Sequence, residues 1–348
     1  MTRTVIGIEI TEESVRAVEV RTGRVPVLLA AGSVPLPPDA AHDSEVLDAD
    51  AVTLAVRQLW ARAGFKSRSV VLGLGSRRIL VREYTTQAMP ARVLRQALPF
   101  QVQDLLPVPI DQAVLDFYPA SQEGDQVTGL LVAAVAETVE QLVSTLTAAK
   151  LEVESVDLMP FGLARLAAVR AAAGETVAMV HITDHTTYVV VARDGIPLFV
   201  RIIPIDVPTT AARRRAEAHE QEEAAEAEVE VFSPPTLSDV APLRSRASMR
   251  TDGAIAEATD PAVVDMVRRV RSTVQFFDGR PGSSPVTTVH LSGAGAAITG
   301  VHAALGQLLG TRVEIVDLAS LSTMKAPIDP ELALDLVGTL GVVFGEGI

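Results

Sequence analysis

The 348-residue chain has no cysteine. Disulfides, thiolate metal sites and cysteine nucleophiles are therefore excluded. Aromatic residues make up only 4% of a sequence that is 48% hydrophobic, so Val, Leu, Ile and Ala must fill the core. Lysine is nearly absent, at three residues against 27 arginines, an asymmetry with no functional signal in it. Positive charge is in deficit. With 30 Lys and Arg against 43 Asp and Glu, the net charge is −13, which argues against non-specific binding to nucleic acid or anionic lipid. Long hydrophobic runs are missing too. The longest, "VTGLLVAAVA" at 127–136, is far short of the roughly 20 residues that a membrane helix needs. Direct membrane insertion is not expected, and membrane association would have to come through a partner. The first residues enter a strand without a basic region and apolar core before it, so no secretory signal is expected. The expectation is a cytoplasmic protein of two domains, or one large α/β body with insertions.

What is present is strongly patterned. Residues 4–10, 15–21 and 25–34 read as three strands rich in Val and Ile, joined by short turns that imply antiparallel pairing. Val52, Val56, Leu59 and Ala63 recur at helical spacing and Gly64 stops that helix. "SVVLGLG" at 69–75 is a buried strand. "TVAMVHITDHTTYVVVARDGIPLFVRIIPI" at 176–205 repeats the opening "TVIGIEITEESVRAVEVRTGRVPVLLAAGSV": I-T before a polar turn, a β-branched strand, a G-x-P turn and a third strand. This is a duplicated fold unit.

Residues 79–155 read as an inserted unit, with a strand at 79–86, a helix with Leu94, Leu98, Val102 and Leu105 on one face, and two more strands. Pro99 lies inside that helix and predicts a kink or restart. Thr138 and Gln141 suggest a capping box for a helix at 139–149. Residues 208–260 pass from a basic cluster to an acidic run and then a Pro/Ser/Arg stretch, read as a solvated helix and loop, with a regulatory or partner-binding loop as the alternative. Asp260 caps a helix that starts with Pro261 and runs to about Phe277. A strand, a small-residue turn and a helix follow at 288–310, then the strand "RVEIVDL", then one C-terminal helix carrying Leu334, Val337, Leu340 and Val343.

Three places invite a phosphate. In the first hairpin, Glu9 stands at a strand end, where an acid can hold Mg²⁺ through water, and Ser14 offers a hydroxyl. Thr11 takes the place of the glycine that would let backbone approach phosphate closely. In the second hairpin the matching acid position holds His181, the glycine position holds Thr183, and Asp184 lies in the turn. A neutral imidazole cannot organise Mg²⁺-bound water as a carboxylate does. An ordinary hairpin turn is the alternative at both. The third place is "SGAGAAITG", where Gly293, Ala294, Gly295 and Ala296 lie between a strand and a helix N-terminus. The six histidines (42, 181, 185, 219, 290, 302) show no metal-ligand spacing, and no catalytic nucleophile–base set stands out.

The duplicated hairpins and late Gly-rich turn resemble the actin-like ATPase superfold. The run "MPARVLRQALPFQVQDLLPVPIDQAVLDFYPA" at 89–120 resembles the PilM family of type IV pilus assembly proteins through Met89, Pro90, Leu94, Phe100, Gln103, Leu106, Pro107, Pro109, Ile110, Asp116 and Tyr118. "DGIPLFVRIIPI" and "VRRVRSTVQFFDGRP" are similar to the same family. The resemblance implies an α/β, actin-like (ribonuclease H-like, duplicated) fold of two lobes with an inserted α/β subdomain. On that basis 1–78 begins the first lobe and 79–155 is the insert with a partner-peptide groove. Helices at 156–175 and 325–348 complete the first lobe, 176–207 and 285–324 form the second, and 208–284 is a loop plus helical subdomain. The resemblance further implies ATP with Mg²⁺ as cofactor. It implies a cytoplasmic location at the inner membrane and, as partner, the N-terminal peptide of a PilN-like protein. Leu94, Leu98, Val102, Leu105 and Leu106 are then a mix of core and groove residues. A pilus motor ATPase and self-association are further implied contacts. Family members usually carry D-x-G in both hairpins, and here Glu9–Thr11 and His181–Thr183 replace it. The expectation is a scaffold with weakened or lost ATP hydrolysis; an active actin-like ATPase or sugar kinase is the alternative.

Overall fold

The structure, a computed structural model, describes residues 3–23, 26–217 and 260–344. Most of the acidic and Pro/Ser stretch at 208–260, with His219, lies outside the described residues.

The opening strands are β1 (Thr4–Ile10), β2 (Ser14–Arg21) and β3 (Val27–Pro35). They pair antiparallel, Glu9 opposite Arg16. A two-residue hairpin, β4 (Ala41–His42) and β5 (Glu45–Val46), leads to helix α1 (Ala49–Ala63). The Asp48 carboxylate accepts from the N–H groups of Asp50 and Ala51, and Gly64 ends the helix at φ 71°. α1 buries Val52, Val56, Leu59 and Trp60, each worth roughly 1.5–3 kcal/mol. Strand β6 (Ser69–Leu74) then runs parallel to β1.

The insert contains β7 (Leu80–Gln87), α2 (Ala91–Val102), β8 (Ala113–Glu123) and β9 (Gln126–Val135), and its own sheet has the order β7-β9-β8. α2 runs through Pro99 without restarting and tightens into a 3-10 turn at Gln103–Leu105. The insert is narrower than 79–155. Helix α3 (Ala136–Ala148) packs on α1, and β10 (Glu152–Leu158) pairs with β6 in the main sheet. No capping box forms at Thr138 and Gln141, because α3 starts at Ala136 and both residues are already inside it. They reach out to Glu45 and the Val46 carbonyl instead.

Helix α4 (Met159–Arg170) leads to the second copy: β11 (Thr176–Ile182), β12 (Thr186–Arg193) and β13 (Ile196–Pro204). After helix α5 (Pro261–Asp278) come β14 (Thr288–Ser292), helix α6 (Val301–Leu309) and β15 (Arg312–Ile315). The Asp260 cap of α5 is present, accepting from Ala262 N–H. The second lobe ends sooner than 324: β16 (Thr323–Met324) pairs with β3 in the first sheet. The expected C-terminal helix is two, α7 (Pro330–Asp335) and α8 (Val337–Val343), meeting at Leu336.

The sheets read β10-β6-β1-β2-β3-β16 and β13-β12-β11-β14-β15. Five strands in each follow one plan, three antiparallel and two parallel, so the duplication seen in sequence is a duplication of topology. α8 packs on β1, β2 and β6, while α4 packs on β11, β12 and β13. The two helices touch where Gly162 meets Gly341; a Cβ on Gly162 would lie 2.5 Å from the Gly341 carbonyl carbon. Strands covered on both faces are uninterrupted apolar runs, which is why β1 and β11 lack polar alternation.

Candidate functional site

The two hairpin turns face each other across the space between the lobes. In the first, the Thr11 hydroxyl accepts from the N–H of Ser14 (3.1 Å) and of Glu13 (3.3 Å), and Thr11 N–H donates to the Ser14 carbonyl (2.9 Å). In the second, the Thr183 hydroxyl accepts from Thr186 N–H (3.2 Å), and Thr183 N–H donates to the Thr186 carbonyl (2.9 Å). A threonine in the glycine position thus closes its own turn. The N–H groups of Glu13, Ser14 and Thr186 are committed to these hydroxyls.

The strand-end side chains follow a different logic in each copy. Glu9 is buried and its carboxylate accepts from the Thr339 hydroxyl at 2.9 Å. Burial pushes this carboxyl up, against the pull of Arg16. Arg16 is itself buried; its Nε donates to the Ser14 hydroxyl at 2.8 Å, and its two terminal nitrogens each lie 2.9 Å from an oxygen of Asp335. In the second copy His181 lies opposite Tyr188. Its Nδ1 is 2.9 Å from the Ser292 hydroxyl, and burial, assisted by Arg16, lowers its pKa to about 3, so the ring is neutral. The Tyr188 phenol is pushed up by burial and donates to the Gly75 carbonyl of the first lobe.

Ion pairs span the turns. His185 Nε2 lies 2.6 Å from Glu13 and Nδ1 2.7 Å from Asp206. Arg215 reaches both Glu13, at 2.7 Å, and Asp184. Arg77 pairs with Glu12 at 3.1 Å and Asp43 at 3.3 Å. The carboxylate of Glu13, foremost, raises the His185 pKa to about 9, so this imidazole is cationic at neutral pH. The cavity left between the turns is about 40 Å³, bordered by Glu9, Thr11, Arg16, Asp184, His185 and Tyr188.

The Gly-rich turn is likewise engaged. Gly293, at φ 86°, donates its N–H to the Leu334 carbonyl at 3.0 Å, and the helix that carries Asp335 packs against the turn. Ile182 fills the space in front of it: a Cβ on Gly295 would sit 2.2 Å from Ile182 Cγ2. Ala296 is buried in the second-lobe core. The structure therefore brings Glu9, Thr11, Thr183 and Asp184 to one cleft, with Ser14 and His181 just behind. The 293–296 turn joins them only through Asp335. Sequence reasoning missed Arg16, Asp335, His185, Tyr188 and Gly75. Alternation along β2 places Arg16 beside Glu9 and was readable; Asp335, 319 residues from Arg16, left no sequence signal.

On the insert, a groove of about 440 Å³ runs between α2 and β8, lined by Met89, Leu94, Leu98, Phe117, Pro119 and Val127. Leu98 lines it while packing on Leu131 beneath. Val102 is fully buried in that small core and does not line the groove, because its turn of α2 faces the sheet. Leu106 is half-buried against the same core and Leu105 is exposed; neither lines the groove.

A sequence model of the family described as type IV pilus assembly protein PilM matches residues 7–203. The chain belongs to the PilM family. Solved structures agree on the fold. A "PilM-PilN type IV pilus biogenesis complex" has a chain 24% identical, aligned over 98% of both chains with a TM-score of 0.76. The ethanolamine utilization protein EutJ from Carboxydothermus hydrogenoformans is 14% identical over 98% of this chain and 89% of its own, with a TM-score of 0.51. A Bacteroides thetaiotaomicron protein with an actin-like ATPase fold is 6% identical over 98% and 95%, with a TM-score of 0.50. The fold of this PilM-family chain is the actin-like one. Among the described residues no helix is long and apolar enough to cross a membrane.

An actin-like fold raises the question of Mg²⁺ and ATP, and the residues of this PilM-family chain do not fit them. Small-molecule pockets run to roughly 300–1,000 Å³; between these turns, where phosphates and metal would sit, about 40 Å³ is open, while a separate pocket of about 510 Å³ borders Ala297, Ile298 and Thr299. The N–H groups of Glu13 and Ser14 are taken by the Thr11 hydroxyl and that of Thr186 by the Thr183 hydroxyl. The second strand-end acid is a neutral histidine, and the first is tied to Thr339.

Proposed function

We propose that this PilM-family protein is a cytoplasmic scaffold of a type IV pilus or related secretion machine. It takes the N-terminal peptide of a PilN-like inner-membrane protein in the α2–β8 groove and sits at the membrane through that partner. Its nucleotide cleft hydrolyses ATP weakly or not at all. The observation that carries the reading is the groove itself. Its volume suits a short peptide, its floor is apolar, Arg95 and Asp116 flank it, and among the described residues β8 is a sheet edge with one side unpaired. Leu94 and Leu98 supply the anchor contacts.

A second seat for the same peptide is favoured by two unpaired strand edges. β7 and β13 border a groove of about 530 Å³ that contains Arg77, Arg82, Arg201, Arg280 and the exposed Phe276. Titration calorimetry with a synthetic PilN-type peptide, with and without Mg-ATP, tests both. Saturable binding that Mg-ATP leaves unchanged and that Leu94→Asp weakens at least ~10-fold is expected. Loss in Phe276→Ser but not in Leu94→Asp moves the seat to the second groove. No peptide binding by the wild type overturns the scaffold reading. ATP hydrolysis that disappears in Glu9→Ala overturns the inactive-cleft part.

A further inference from the structure

We propose that Asp335 is the resident anion of the interlobe cleft: its carboxylate occupies the seat that a phosphate would take between Arg16 and the Gly293–Ala296 turn. An anion seat needs a cation with forked donors and backbone N–H groups from a turn. The cation is here, and the turn lies beside it from the opposite lobe. The guanidinium of Arg16, on β2, meets the two Asp335 oxygens at 2.9 Å each. The turn after β14 is held against it: Gly293 N–H donates to the carbonyl of Leu334, the residue before Asp335, at 3.0 Å. Asp335 arrives from α7, a third element that packs against that turn. The Arg16 guanidinium is thereby paired within the chain, and its partner carboxylate comes from a helix that packs on the second-lobe turn.

This rests on reading the cleft as a nucleotide seat and is independent of the peptide groove, so peptide binding measured on the same samples fails or holds separately. The probes are sodium pyrophosphate and Mg-ATP, titrated into the full-length protein. Wild type is expected to give no saturable binding of either at millimolar concentration. Asp335→Asn keeps the shape and removes the charge, and is expected to bind pyrophosphate at least ~10-fold more tightly than wild type. Asp335→Ala is expected to gain more, and adding Arg16→Gln to either is expected to erase the gain. Where Asp335→Ala is too unstable to titrate, a pyrophosphate-dependent rise in the melting temperature of Asp335→Asn, absent in wild type, reads the same event. Wild-type binding as tight as that of the variants overturns the proposal, and so do folded variants that gain nothing. Failure of both variants to fold even in excess pyrophosphate also overturns it, because an anion in the seat restores the lost charge.

Discussion

The two hairpins are copies of one device, and they differ where chemistry would be done. Thr11 matches Thr183, Glu13 matches His185, and the facing pair Glu9 and Arg16 matches His181 and Tyr188, each 172 residues further on. Their turns share three hydrogen bonds, and the first adds another from Glu13 N–H to the Thr11 hydroxyl. Their strand-end pairs do not correspond: one is a buried carboxylate and guanidinium, the other a neutral imidazole beside a phenol. The turn is a matter of shape, and both copies solve it in the same way. The pair behind the turn is a matter of charge. In the first copy Arg16 is shared between Glu9 and Asp335, the latter from elsewhere in the chain, and the second copy has no charge in that pair.

Three experiments probe that contrast. The largest effect is expected at the charged pair. Arg16→Ala leaves Asp335 and Glu9 buried without their cation, and breaking a buried pair on one side costs about 3–5 kcal/mol. Urea unfolding reads this as a lowered midpoint, and Arg16→Met with Asp335→Leu should recover most of it. A loss below about 1 kcal/mol from Arg16→Ala would mean that the two copies are not so different after all.

Next come the turns. Thr11→Ala and Thr183→Ala each remove one side-chain acceptor and should cost about 1 kcal/mol apiece, equally. Unequal losses in chemical denaturation would break the equivalence of the copies.

The smallest effect is the pH response of the ion pairs between the turns. The folded His185 pKa is raised from 6.5 to about 9, chiefly by Glu13, with Asp206 and Glu12 adding to it. A raised histidine contributes stability that is complete below 6.5 and is lost as pH climbs through about 9. Melting temperature should therefore decline over that window in wild type and decline less in His185→Gln.

Much of this was readable in advance, for local reasons. Gly64 ends α1, Asp260 and Pro261 open α5, and the two I-T turns announce the repeat; each signal lies within a few residues of what it controls. Pro99 misled because tertiary packing of Leu98 and Val102 on Leu131 holds α2 through the proline. The insert boundary misled because β10 reads like any strand, and only its pairing with β6 assigns it to the main sheet. The site was half legible. Glu9, Thr11, Thr183 and Asp184 meet as their repeat positions imply, but the partners that decide their chemistry, Asp335 and Thr339, come from more than three hundred residues away.

That distance has a kinetic consequence. Gly7 and Gly73 receive Val343 and Val342 of α8 against their bare backbones, and Glu9 waits for Thr339. Until residues 337–343 dock, the inner face of β1 and β6 stays uncovered and the Glu9 carboxyl lacks its donor. Contacts of such long sequence separation form slowly, because the chain entropy between them must be lost first. Strands β1 and β6 leave the ribosome well before the helix that covers them, and their open face in that interval is where aggregation or chaperone capture would begin.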